Sequence, residues 1–126
     1  MNVKINEKAP AVQSKEILIN AKPEKFWGIL TDIDRWSDWN SNIKDSQTME
    51  QPAVGVNFKW KNSGSKILSK IHTFDQNAML GWIGKAFGRA KAIHNWYLTP
   101  IENGTKVMTE ETIEGWVVGL MKKKMK

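Results

Sequence analysis

Few side chains in this sequence can move a proton near neutral pH. There are two histidines, His72 and His94, and histidine is the side chain whose unperturbed pKa lies closest to neutrality. Glu111 stands in the run Val107-Met108-Thr109-Glu110-Glu111-Thr112-Ile113. The more apolar alternate set there is Val107, Thr109, Glu111 and Ile113. A strand that turns this set inward carries a carboxylate onto the covered face. Such a carboxylate needs a partner, and His94, a Trp N–H or water would serve. A His94–Glu111 pair in a dry cavity has the groups for acid–base catalysis. His94 would shuttle the proton, and Glu111 would orient it or hold the charge. The plainer reading is a histidine satisfied internally by Glu111 or by a backbone carbonyl. Ser69 has no strand-to-helix nucleophile turn around it, so it reads as a polar anchor, as does Thr109.

Other chemistry finds little support. The chain has no cysteine, which excludes disulfides and thiolate ligands. His72 falls on the polar side of its segment and is expected to face solvent, so no metal site is expected. Gly84-Lys85-Ala86-Phe87-Gly88 lacks the phosphate-loop pattern, and no cofactor is expected.

The elements that position these residues can be read from periodicity. Val12–Asn20 reads as a strand. Pro23 suits a first helical turn and Glu24 favours the positive end of the dipole, so a helix opens there with Phe26, Trp27 and Leu30 on one face. A second short helix is expected near Thr31–Trp36, with Thr31 or Asp32 as its cap. From Ile43 the period changes to two. Strands are expected over Ile43–Glu50, Val54–Lys61, Lys66–Phe74, Ala78–Phe87, Arg89–Ile101 and Thr105–Glu114. A helix is expected next, over Trp116–Lys126. Short turns between successive strands imply an antiparallel meander. Asn103-Gly104 is a strong hairpin signal. With those two residues as the loop, Trp96 would face Glu111 and His94 would face Ile113. His94 and Glu111 would then be diagonal neighbours on one face. Pro100, which lacks a ladder N–H, weakens that register.

The inner alternate sets supply an apolar wall: Phe58, Trp60, Ile67, Ile71, Leu80, Trp82, Trp96 and Leu98. With Ser69, His94, Thr109 and Glu111 as polar marks, this fits a cavity for a small hydrophobic molecule. It fits a packed core equally well. Seven tryptophans in 126 residues suit both, since the ring is large and its N–H wants a partner.

The length suits one domain over residues 1–126. The net charge is +6, but Lys122, Lys123, Lys124 and Lys126 supply four of those charges and leave +2 for the rest. The body reads as mildly basic, without a face for nucleic acid. The terminal lysines read as a solvated helix end, with membrane-surface attraction as the lesser alternative. No apolar run is long enough for a signal peptide or a spanning helix, so no stable membrane insertion and a cytoplasmic location are expected.

Several segments in order resemble one superfamily. Ile19-Asn20-Ala21-Lys22-Pro23-Glu24-Lys25-Phe26-Trp27 resembles its entry to the first helix. Thr31-Asp32-Ile33-Asp34-Arg35-Trp36 with Trp39-Asn40 resembles the next segment. Phe58-x-Trp60, Leu80-x-Trp82-x-Gly84 and His94-x-Trp96-x-Leu98-x-Pro100 resemble its strands. Over about residues 12–120 the chain is similar to START-like (SRPBCC) domains, in particular their polyketide cyclase/dehydratase-like branch. The resemblance implies an α+β helix-grip fold: a curved antiparallel sheet around a C-terminal α-helix, with two short helices. That last helix is usually longer in the family, so a short or truncated one is expected here, and a monomer or homodimer. The fold carries many functions. The resemblance implies binding of a lipid or polyketide-like ligand, with a cyclase or dehydratase using His94 and Glu111, or a co-chaperone-like interaction domain, as alternatives.

Overall fold

The computed structural model describes residues 11–86 and 90–114. Seven strands form one antiparallel sheet: β1 (Ala11–Ile19), β2 (Ile43–Thr48), β3 (Asn57–Asn62), β4 (Ser65–Asp75), β5 (Met79–Ala86), β6 (Ala90–Ile101) and β7 (Gly104–Glu114). Their spatial order is β1-β7-β6-β5-β4-β3-β2. β2 to β7 are thus a meander, and β1 joins beside β7. The sheet is curved, and the connection between β1 and β2 covers part of its concave face.

That connection holds α1 (Pro23–Thr31) and then a 3₁₀ segment, Ile33–Asp38. Pro23 begins α1, where its missing N–H costs nothing. Trp27 and Leu30 are buried on the inner side of α1. The segment expected as a second short helix is the 3₁₀ stretch, and Arg35 inside it leaves helical geometry. Asp32 gives no side-chain cap. The tighter turn presents Ile33 and Trp36 to the sheet, both buried. The expected helix over 116–126 lies outside the described residues.

Trp36 is the centre of the core. Its indole N–H donates to the Leu30 carbonyl at 2.9 Å. Its ring meets Phe58, Trp60 and Trp82 with centroids 5.4, 5.4 and 5.3 Å away. The first two contacts are edge-to-face, an arrangement favoured by the ring quadrupoles. Phe58, Ile71, Leu80 and Val107 are 0–1% exposed, so these inward positions are packed.

Two bulges reset the alternation. In β4, Ile71 pairs with Trp82 but Thr73 pairs with Gly81, leaving His72 as the extra residue. One extra residue flips the phase of the remainder of the strand. Phe74 therefore faces inward and packs edge-on against Trp27 at 5.2 Å. In β2 the register shifts between Lys44 and Gln47, where Asp45 has φ 53°. Beside it, the Ser46 hydroxyl donates to the Ile33 carbonyl at 2.6 Å, which ties the 3₁₀ segment to the sheet.

Candidate functional site

The β6–β7 hairpin carries the polar residues of the concave face. Its loop is Glu102-Asn103, because Ile101 pairs with Gly104. The expected loop was one residue later. Gly104 is drawn into the ladder because its Cα passes against the end of β1. Its φ is 156°, and a Cβ there would collide with the Ile19 carbonyl, so only glycine fits. The change moves the register by two positions and keeps every face. His94 is opposite Glu111, and Trp96 is opposite Thr109. Pro100 opposes Thr105 with no break in the ladder.

His94 Nδ1 lies 3.2 Å from Glu111 Oε2, with side-chain exposures of 19% and 31%. The contact does not meet hydrogen-bond geometry, however, so Nδ1 is buried without a hydrogen-bond partner among the described residues. The distance makes this an electrostatic contact, and the angle denies it the status of a hydrogen bond. Trp96 Nε1 is likewise buried with no partner among the described residues. The rings of His94 and Trp96 are nearly parallel, 16° apart with centroids at 5.6 Å. Trp82 backs His94 at 4.8 Å, and Phe26 of α1 backs Trp96 at 6.0 Å. Thr109 is half-buried beside them. This group combines a basic ring, a carboxylate and an indole donor on an aromatic floor.

The other expected site residues lie elsewhere on the same face. Phe58, Trp60, Ile71 and Trp82 are buried in the Trp36 cluster. Ser69 is 2% exposed and accepts the indole N–H of Trp60 at 3.2 Å, which satisfies both. Trp60 and Ile67 reach one margin of a groove of about 690 Å³, whose polar rim includes Asp34, Asp45 and Lys61. A second groove of about 510 Å³ separates Asn20–Glu24 from Pro100–Gly104. The His94–Glu111 pair lies in neither.

A polar chain on the convex face was not expected from the sequence. Tyr97 donates its hydroxyl to Glu110 Oε2 at 2.7 Å, and Asn95 Nδ2 donates to the same oxygen at 3.3 Å. Asn95 Oδ1 lies 2.9 Å from His72 Nε2, and His72 Nδ1 lies 2.7 Å from Thr73 Oγ1. Since Asn95 Oδ1 can only accept, His72 Nε2 carries a proton. His72, expected to face solvent, is instead half-buried and bonded, because the bulge lays it over Gly81. A Cβ on Gly81 would strike the His72 ring and the Asn95 side chain. Burial, followed by the Glu110 bond, pushes the Tyr97 hydroxyl from 10.0 up to about 12. The signal available in sequence was the second alternate set, Asn95 and Tyr97 against Glu110, at the same offset as the concave pair.

Among the described residues no group of three or more His, Cys, Asp or Glu could hold a metal, and no helix is long and apolar enough to cross a membrane.

Known structures share this architecture. A hypothetical protein from Helicobacter pylori superposes with a TM-score of 0.78 at 18% identity, covering 88% of this chain and 74% of that one. A START superfamily protein from Mycobacterium smegmatis gives 0.71 at 14% identity, covering 90% and 88%. The Aha1 dimer from Colwellia psychrerythraea gives 0.66 at 21%, covering 90% and 84%. At these identities the likeness is one of fold. No curated protein matches the sequence. Residues 11–126 match the family model described as polyketide cyclase / dehydrase and lipid transport, and the chain belongs to that family.

Proposed function

We propose that the chain binds a small hydrophobic or aromatic molecule, lipid-like or polyketide-like, on its concave face. The ligand's polar end would sit at His94, Trp96, Thr109 and Glu111. The observation that carries this reading is the buried, unpartnered indole N–H of Trp96 beside the equally unpartnered His94 Nδ1. A buried donor without an acceptor costs about 1–3 kcal/mol, and a ligand oxygen placed there removes the cost. The aromatic floor supplies apolar contact, and the family description supports this class of ligand. The Trp36 cluster is closed by its own contacts, so Phe58, Trp60, Ser69, Ile71 and Trp82 act as the base of the site rather than its direct surface.

A second reading is favoured by the 3.2 Å His94–Glu111 contact. A carboxylate beside an imidazole is suited to acid–base turnover of a bound carbonyl compound, as in cyclisation or dehydration. The third, a co-chaperone-like interaction domain as monomer or homodimer, is favoured by the filled aromatic core.

Intrinsic fluorescence titrations with flat phenols, polycyclic ketones and single-chain lipids test the first reading. Saturable binding weakened by Trp96→Phe and Glu111→Gln is expected. Binding that survives His94→Ala while product formation stops would move the assignment to an enzyme. A folded protein with no saturable response would favour the interaction domain.

A further inference from the structure

The register gathers lysines that are scattered in sequence. Phe58, Trp60, Ser69 and Trp82 point inward, so their strand neighbours point outward. On that convex face Lys44, Lys61 and Lys66 are directly opposite one another across β2, β3 and β4. One row further along, Lys59, Leu68, Lys85 and Lys91 are opposite one another across β3, β4, β5 and β6. Lys91 in turn is paired with Glu114, where the row ends. Lys59, Leu68, Lys85 and Lys91 are exposed, Leu68 by 56%. Asp45 pairs with Lys61 at 3.1 Å, while Lys44, Lys59, Lys66 and Lys85 have no ion pair among the described residues.

Like charges directly opposite on adjacent strands destabilise a sheet. Strand spacing of about 4.8 Å puts the second row across roughly 14 Å. With Lys61 offset by Asp45, the remaining lysines of the two rows still outnumber the acids beside them and make a surface for a polyanion. The chemistry of the patch favours one kind. It contains lysines and an exposed leucine, with no aromatic or arginine among them. Base stacking and bidentate phosphate reading both lack their usual side chains. Lysine is a mobile point charge on an apolar stem, and a central leucine can enter the headgroup layer.

We propose that the convex face of β2–β6 docks on anionic lipid bilayers, with Leu68 at the centre of the contact and Lys59, Lys85 and Lys91 as its principal cations. The docking is peripheral and reversible and is opposed by salt. It uses the face opposite to the ligand site, so it stands apart from the function proposed above.

The test is co-sedimentation of the full chain with phosphatidylserine-containing vesicles and with phosphatidylcholine vesicles, beside a single-stranded oligonucleotide. Three variants are compared: Lys59→Glu/Lys85→Glu/Lys91→Glu, the milder set with Gln at the same positions, and Gln at Lys122, Lys123, Lys124 and Lys126. Salt-sensitive binding to the anionic vesicles is expected. It should fall by roughly tenfold or more in the Glu set and by a smaller factor in the Gln set. The terminal variant should keep most of it. The Gln set serves if the Glu set fails to fold, as judged by its melting curve. Equal binding to both vesicle types would overturn the proposal. So would loss in the terminal variant alone, or binding to the oligonucleotide without binding to vesicles.

Discussion

At the scale of single residues, the binding proposed above rests on polar atoms that the fold buries without a partner among the described residues. Trp96→Phe keeps the ring floor and removes the N–H. It should therefore raise the dissociation constant of a bound ligand by about tenfold, within the usual value of one hydrogen bond to a buried donor, and should leave the melting temperature unchanged or slightly higher. On the opposite face, Tyr97 offers an unusually clean reporter because it is the only tyrosine in the chain. Its folded pKa of about 12 lies above the unfolded value of 10.0. The neutral hydroxyl is thus the form that folding favours. Its contribution to stability is complete below pH 10 and is lost as pH rises from about 10 to 12. Alkaline titration of tyrosinate absorbance should show a midpoint well above that of free tyrosine. Glu110→Gln should lower it, because the carboxylate bond goes, while burial still holds it above the ordinary value. A midpoint near 10 in the wild-type protein would refute the Tyr97–Glu110 bond. Sequence made His94 and Glu111 legible because alternation fixes faces. It did not reveal that His94 Nδ1 is misaligned with its carboxylate, since that depends on side-chain angles no pattern records.

At the scale of elements, two small irregularities decide what the strands present. Strict alternation through Lys66–Phe74 turns His72 outward, which is correct, and turns Phe74 outward, which is not. The bulge between Ile71 and Thr73 is silent in the sequence because both phases offer an apolar or polar residue at every step. The hairpin error was different in kind. Asn103-Gly104 does mark the turn, yet Gly104 serves the close approach to β1 rather than the loop. The faces survived because the register moved by two. Gly81→Ala tests the bulge. The added methyl must displace the His72–Asn95 pair, and unfolding free energy should fall by about 1–3 kcal/mol, measured by denaturant titration. A neutral result would mean that the His72 ring has room to move. Trp36→Ala in the 3₁₀ segment should cost more, about 3–5 kcal/mol, because it opens the packing of Phe58, Trp60 and Trp82 together.

At the scale of the whole molecule, the sheet has two faces with separate business. The concave face is closed at the Trp36 end by its own aromatic contacts and carries unpaired polar atoms at the His94 end. The convex face carries a carboxylate–tyrosine chain near β7 and a lysine field across β2–β6. The meander of β2 to β7 and the inward aromatic stripe were legible from short turns and a period of two, whereas no pattern in the sequence placed β1 beside β7. The lysine field was not. With the terminal lysines set aside, a net charge of +2 suggests a mild surface, but a sum over sequence ignores which strands become neighbours. Pairing β3 with β4 and β4 with β5 stacks Lys59 and Lys85 on either side of Leu68, and the acids Glu110 and Glu111 fall on the far strand.

The most direct measurement is a tryptophan-fluorescence titration of wild type, Trp96→Phe and Glu111→Gln with a flat, neutral aromatic ketone. The ligand-binding account predicts saturable quenching in the wild type and a dissociation constant raised by about tenfold in each variant, with melting curves that stay cooperative. Quenching that saturates with the same constant in all three proteins would contradict it, because the ligand would then be bound away from the polar end of the concave face.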